Sequence, residues 1–89
     1  MKLARALTKI TNEKIMMNFL NDIATPKELE ALQERLDIAL LLDKGMSYLE
    51  IAKKTSASTT TVTRVARFLK QENYGGYRYL LDNLSKFKK

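Results

Sequence analysis

The chain has 89 residues, enough for one domain and too few for two, and its 45% apolar content permits a core that buries little per residue. It contains no cysteine and no histidine, which excludes disulfides, thiol redox chemistry, zinc fingers and every His- or Cys-based catalytic centre. The net charge of +6 is unevenly placed: residues 1–45 carry seven basic and seven acidic side chains, whereas residues 46–89 carry nine against three, pointing to a polyanion partner for the C-terminal half.

Met1 to Leu7 holds two basic residues, but no apolar run of signal-peptide length follows. No stretch approaches the roughly 18 apolar residues needed to span a bilayer. A soluble cytoplasmic protein without a membrane partner is the expectation. β-branched residues are sparse outside one threonine cluster, and no alternating run of strand length occurs, so the chain reads as all-α, with five to six helices in a single domain over residues 1–89.

A first short helix is predicted from Lys2 to Lys9, with Leu3, Ala6, Leu7 and Ile10 on one side. Thr11 is the expected N-cap of a second helix reaching Ile23, whose apolar stripe is Ile15, Met16, Phe19, Leu20 and Ile23. The third helix has the clearest start: Thr25 caps, Pro26 takes the first helical position, and Glu28 completes a capping box. It should reach about Lys44 and stop at Gly45, making residues 25–44 the core and dimerisation helix. Its first half directs Leu29, Leu32 and Leu36 inward. Its second half, Ile38-Ala39-Leu40-Leu41-Leu42, is apolar on nearly every side and must be covered all round. A second copy would do this; the alternative is that the first, second and last helices wrap it within one chain.

Residues 47–70 form the predicted helix-turn-helix. Ser47 and Glu50 make a second capping box opening a helix through Lys53-Lys54, Thr55-Ser56-Ala57 is a tight connection, and Ser58 caps a helix of Thr59 to Leu69. Two helices crossing steeply over so short a turn need a small residue at the crossing, supplied by Ala52, and a compact apolar residue in the turn, supplied by Ala57. The second helix needs branched residues facing back, and Val62, Val65 and Leu69 provide them. The turn position after Thr55 demands positive φ and is usually glycine; here Ser56 must bear strain or use another turn. Beyond a break at Tyr74-Gly75-Gly76, a last helix is expected from about Tyr77 to Phe87, placing Tyr77, Leu80, Leu81 and Leu84 inward, before a fraying terminus.

On the opposite face of the second motif helix, Thr60, Thr63 and Arg67 project together, flanked by Thr59, Arg64 and Lys70. Threonine hydrogen-bonds to base edges and sets its methyl against thymine; arginine grips guanine or phosphate. Consecutive threonines lie roughly half a kcal/mol each below alanine in helix propensity, so an exposed helix start that accepts them has a use for them. Ser58 and the first amides can meet a phosphate, and Lys53, Lys54, Lys70 and Arg78 are candidate backbone-positioning charges. No catalytic residue or metal site is indicated: no paired carboxylates stand in an apolar context, and Gly75-Gly76 is too little for a phosphate loop.

Thr25-Pro26, Glu28, Glu30-Ala31-Leu32, Arg35, Ile38, Leu42, Gly45-Met46-Ser47, Glu50, Ala57, Thr61-Val62-Thr63-Arg64 and Leu69-Lys70 together resemble the tryptophan repressor superfamily. Asn73-Tyr74-Gly75-Gly76-Tyr77 resembles its YerC/YecD branch. The resemblance spans about Thr11 to Leu84 and implies an intertwined all-α homodimer binding double-stranded DNA, with Thr59, Thr60 and Thr63 on base-facing positions. Leu49 and Ala52 match DNA-facing positions of the preceding helix, without the family's polar side chains there. The resemblance also places Thr25, Arg35, Thr61 and Arg64 around a corepressor. A glycine and a serine of that pocket are replaced by Val65 and Phe68, and Phe68 is large enough to fill the space of an indole. Thr25, Arg35, Thr61, Arg64 and Phe68 are thus a candidate ligand pocket, either permanently filled or reshaped for another ligand; tryptophan or a related corepressor is disfavoured by Val65 and Phe68, and no cofactor is expected.

The expected function is a sequence-specific, repressor-like regulator acting as a dimer on a palindromic operator and independent of tryptophan. The competing expectation is a protein-interaction adaptor seated on Tyr48 and Leu49 of the first motif helix.

Overall fold

The computed structural model describes residues 1–72 and 74–84. Among them are six helices and no strand: α1 (Leu3–Lys9), α2 (Glu13–Ile23), α3 (Pro26–Asp43), α4 (Tyr48–Thr55), α5 (Thr59–Lys70) and α6 (Gly76–Asp82). No described helix is long and apolar enough to cross a membrane. The chain divides into two compact units, Met1–Leu32 and a second that begins at Gln33, with the boundary inside α3.

The first unit has no buried residue on α1 or α2. Met16, Phe19 and Leu20 of the expected α2 stripe are half-buried, whereas Ile15 and Ile23 are 56% and 55% exposed. The α2 cap is Asn12 rather than Thr11: the Asn12 carboxamide oxygen accepts from the Ile15 amide at 3.0 Å. Asparagine ranks above threonine as a cap, which explains the one-residue difference. The capping box of α3 forms as expected. The Glu28 amide donates to the Thr25 hydroxyl at 3.1 Å and the Thr25 amide to the Glu28 carboxylate at 2.8 Å. These bonds, the backbone one foremost, hold the Glu28 carboxyl below its ordinary range.

The second unit holds the core. Ile38, Ala39 and Leu42 of α3 are buried with Ile51 of α4, Ala57 of the turn, Val62, Val65, Ala66 and Leu69 of α5, and Leu81 of α6. Leu40, Leu41, Met46, Ala52 and Tyr77 pack against this cluster. Within this unit Ile38, Ala39 and Leu42 of the apolar run are buried, whereas Leu40 and Leu41 are only half-buried. Leu32 and Leu84, expected inward, are 52% and 40% exposed.

Local chemistry sets the joints. α3 ends one residue before Lys44. The Met46 amide bonds to the Leu41 carbonyl and the Gly45 amide to that of Leu42, both about Gly45 at φ 89°. This is the glycine-terminated C-cap in which two orphan carbonyls are satisfied. At α4 the Glu50 amide donates to Ser47 Oγ at 3.2 Å. The Glu50 carboxylate accepts from the Ser47 hydroxyl rather than from its amide, so only half of the reciprocal box is made. Arg78 of α6 pairs with Asp43 at 2.8 Å and Asp82 at 2.9 Å, tying α6 to the end of α3. α6 begins at Gly76, one residue before the sequence-based start, and ends at Asp82 with Asn83 as its cap, short of the expected Phe87; residues 85–87 lie outside the described residues.

The α4–α5 turn keeps the positive φ that the motif requires, and Ser56 adopts it at φ 61°, ψ 15°. The Thr55 hydroxyl stitches the turn by donating to the Ile51 carbonyl at 2.7 Å and accepting from the Ala57 amide at 3.3 Å. The Cβ of Ser56 is strained in this region, by about 1 kcal/mol. Ser56→Gly is expected to raise stability by up to about 1 kcal/mol, less what the freer unfolded chain takes back. A urea midpoint unchanged or lowered by this substitution would contradict the strain.

Candidate nucleic-acid interface

α4 and α5 are held by Ile51, Ala57, Val62, Val65 and Leu69, all buried, with Ala52 half-buried at the crossing, as the spacing predicted. Ser58 lies in extended backbone and its Oγ accepts from the Thr61 amide at 3.1 Å, while the two hydroxyls of Ser58 and Thr61 lie 3.0 Å apart. The first turn of α5 contains no acidic residue, so its free amides and the positive end of the helix dipole are unopposed. With Val62, Val65, Ala66 and Leu69 turned to the core, Thr59, Thr60, Thr63, Arg64 and Arg67 line one concavity of about 410 Å³ on the other face. The Thr63 hydroxyl donates to the Thr59 carbonyl at 2.8 Å, leaving its lone pairs as acceptors for an incoming amino group.

The basic side chains differ in what holds them. Arg67 Nε bonds to the Glu72 carboxylate at 3.0 Å, and its guanidinium stands 5.8 Å over the Phe68 ring. Arg64 stands closer to the same ring, at 4.8 Å. Lys70 Nζ lies 5.6 Å above the Tyr48 ring. Lys53 and Lys54 are exposed in the last turn of α4. Arg78, a candidate phosphate contact from sequence, is held by two carboxylates, Asp43 foremost, that raise its pKa further.

A second concavity, of about 460 Å³, is lined by Arg35, Leu36, Arg64, Val65, Phe68, Tyr74, Gly76, Tyr77 and Leu80. Phe68 and Tyr74 stack across it with ring centroids 6.3 Å apart and planes 17° from parallel. Gly75, at φ 75°, sets the turn that brings Tyr74 there. Arg64 borders both concavities.

Over residues 1–85 the sequence matches the family described as Trp repressor protein. The chain belongs to that family. It is 41% identical to the uncharacterized protein YerC of Bacillus subtilis over 61 residues, 68% of this chain and 56% of the length of YerC, so the match spans little more than half of that relative. The YerC branch is accordingly its place within the Trp repressor family. A TrpR-like protein from Eubacterium eligens superposes with a TM-score of 0.86 at 33% identity, covering 98% of this chain and 89% of the other. A Trp repressor candidate from Staphylococcus aureus gives 0.85 at 31% identity, covering 93% and 82%. Fold and family are those of regulatory DNA-binding proteins rather than enzymes.

Of the positions that the Trp repressor resemblance assigned to a corepressor, the second concavity gathers Arg35, Arg64 and Phe68. Thr61 is occupied with Ser58, and Thr25 belongs to the first unit, where it caps α3. Phe68 is among the residues that line the concavity. Among the described residues no ion pair involves Arg35 or Arg64; the aromatic ring, not an acid, is the neighbour of Arg64. The lining contributed by Leu36, Tyr74, Tyr77 and Leu80, and the carboxylate of Glu72, were not foreseen. Apart from Leu36 on α3, these depend on the path of the chain after Lys70, where helical periodicity no longer predicts neighbours.

Proposed function

We propose that the chain is a dimeric, sequence-specific duplex-DNA-binding regulator whose α5 enters the major groove and whose activity does not require tryptophan. The observation that carries this is the single face on which Thr59, Thr60, Thr63, Arg64 and Arg67 meet, beside a helix N-terminus free of acidic side chains. Hydroxyls and guanidinium groups are the donors and acceptors that base edges match, and Lys53, Lys54 and Lys70 supply phosphate contacts at the flanks. The first unit, with its exposed apolar side chains, is the surface on which a second copy would pack. A two-fold dimer then sets two copies of α5 about one helical turn apart on a palindromic site.

The test is selection of duplex DNA from a random pool at near-physiological salt without tryptophan. A two-fold symmetric motif is expected, with affinity falling on the order of a thousandfold between ~50 and ~200 mM salt as counterions are released. Arg67→Ala and Thr63→Ala are expected to weaken the selected site each by about tenfold with helicity unchanged. A pool that stays random both with and without tryptophan, together with capture of a protein partner through the 69%-exposed Leu49, would favour the adaptor reading instead.

A further inference from the structure

The pairing of Arg67 with Glu72 is more ordered than a chance contact between exposed side chains. The amides of Gln71 and Glu72 both donate to the Arg67 carbonyl, at 2.8 and 3.0 Å, so the backbone that carries Glu72 is anchored on Arg67 itself. From that anchor the carboxylate accepts from Arg67 Nε at 3.0 Å. The guanidinium is also set over Phe68, whose ring is stacked on Tyr74. Two neighbours, the Glu72 carboxylate and the Phe68 ring, therefore orient a side chain that is 62% exposed and lies on the face shared with Thr59, Thr60, Thr63 and Arg64.

The donor used decides what remains. A guanidinium is a rigid plane with five N–H groups. With Nε committed to Glu72, the two terminal amino groups remain as a fork, and among the described residues neither donates a hydrogen bond. That fork matches O6 and N7 of guanine, the pair of acceptors that arginine reads in the major groove. An exposed ion pair does little for stability. Its effect lies in holding the arginine in one orientation before the ligand arrives, so that less side-chain freedom is lost on binding.

We propose that Glu72 is a positioning residue: it presents Arg67 as a fixed fork to a guanine in each half-site and so sets the sequence preference of the protein. The inference rests on the duplex-DNA reading proposed above. A carboxylate this close to DNA repels phosphate whatever the sequence, so a mere competitor for Arg67 and a positioning residue make opposite predictions. Removing a competitor tightens binding to all duplexes alike. Removing a positioning residue erases the preference at one base pair.

Duplex selection with the full-length chain separates these, run in parallel on the parent, Arg67→Ala, Glu72→Gln and the double variant, with helicity and thermal midpoint recorded for each. The parent is expected to enrich a guanine at one position per half-site. Arg67→Ala lowers that preference by about tenfold or more, and Glu72→Gln by roughly three- to tenfold, while binding to unselected duplex is unchanged or slightly tighter. Adding Glu72→Gln to Arg67→Ala has no further effect on the preference. The inference is overturned if Glu72→Gln keeps the parent's preference at every position, or tightens binding to all sequences equally. A parent that enriches no motif removes the duplex-DNA reading itself, and this inference with it; a parent that enriches one unaffected by Glu72→Gln removes the inference alone.

Discussion

Ile51→Ala is expected to destabilise the unit that begins at Gln33 by about 2–5 kcal/mol, a large part of what a small domain has. Ile51 is 0% exposed and stands on α4 in the one core cluster that joins α3, α4, α5 and α6. Removal of its branched side chain subtracts burial and leaves a void lined by residues of several helices, which cannot all close on it. The consequence is functional as well as structural, because α5 depends on this cluster for its angle to α4. Leu49→Ala, two positions earlier on the same helix, is the control: Leu49 is 69% exposed, and a change within about 0.5 kcal/mol is expected. Urea unfolding followed by circular dichroism at a helical wavelength measures both. If Ile51→Ala shifts stability no more than Leu49→Ala does, the core as described does not carry the motif.

What the sequence made legible was whatever depends on neighbours within one helical turn. Thr25 with Glu28, Ser47 before Glu50, Ser58 before Thr61, the stop at Gly45 and the positive φ after Thr55 are all local, and each is found. The inward face of α5 followed from a periodicity of 3.6 residues and is buried as expected, together with Ala66, which the spacing left unremarked. Two kinds of feature stayed hidden. Arg67 meets Glu72 only because the chain leaves the helix at Gln71, so no i to i+4 pattern marks the pair. The second concavity needs Tyr74 brought onto Phe68 by a turn at Gly75, a contact across a non-helical segment. The run at residues 38–42 shows a related limit: an apolar helix surface says that it is covered, not by what. Three short helices of the same unit cover most of it.

The first unit carries a case of its own for a second copy. A stretch of about 32 residues lies below the size at which a chain usually sustains its own core, and among α1 and α2 there is no buried side chain at all. Leu3, Ile15, Met17 and Ile23 are each more than half exposed. Each such side chain, already nearly half covered, gains on the order of 1 kcal/mol when its burial is completed, a sum that favours association. The double substitution Ile15→Glu with Ile23→Glu is therefore expected to convert a dimer to a monomer in sedimentation equilibrium. Much of the helical signal should persist, because the buried cluster begins at Ile38. Substitutions at Leu40 or Leu41 are a poorer probe, since both pack on that cluster and their loss would unfold the unit and hide any change in association. With one α5 per particle instead of two, affinity for a palindromic duplex should fall by about a hundredfold or more, as the second half-site loses the benefit of linkage. A double variant that remains a dimer, or a parent that sediments as a monomer while binding a two-fold site, would place the contact between copies elsewhere.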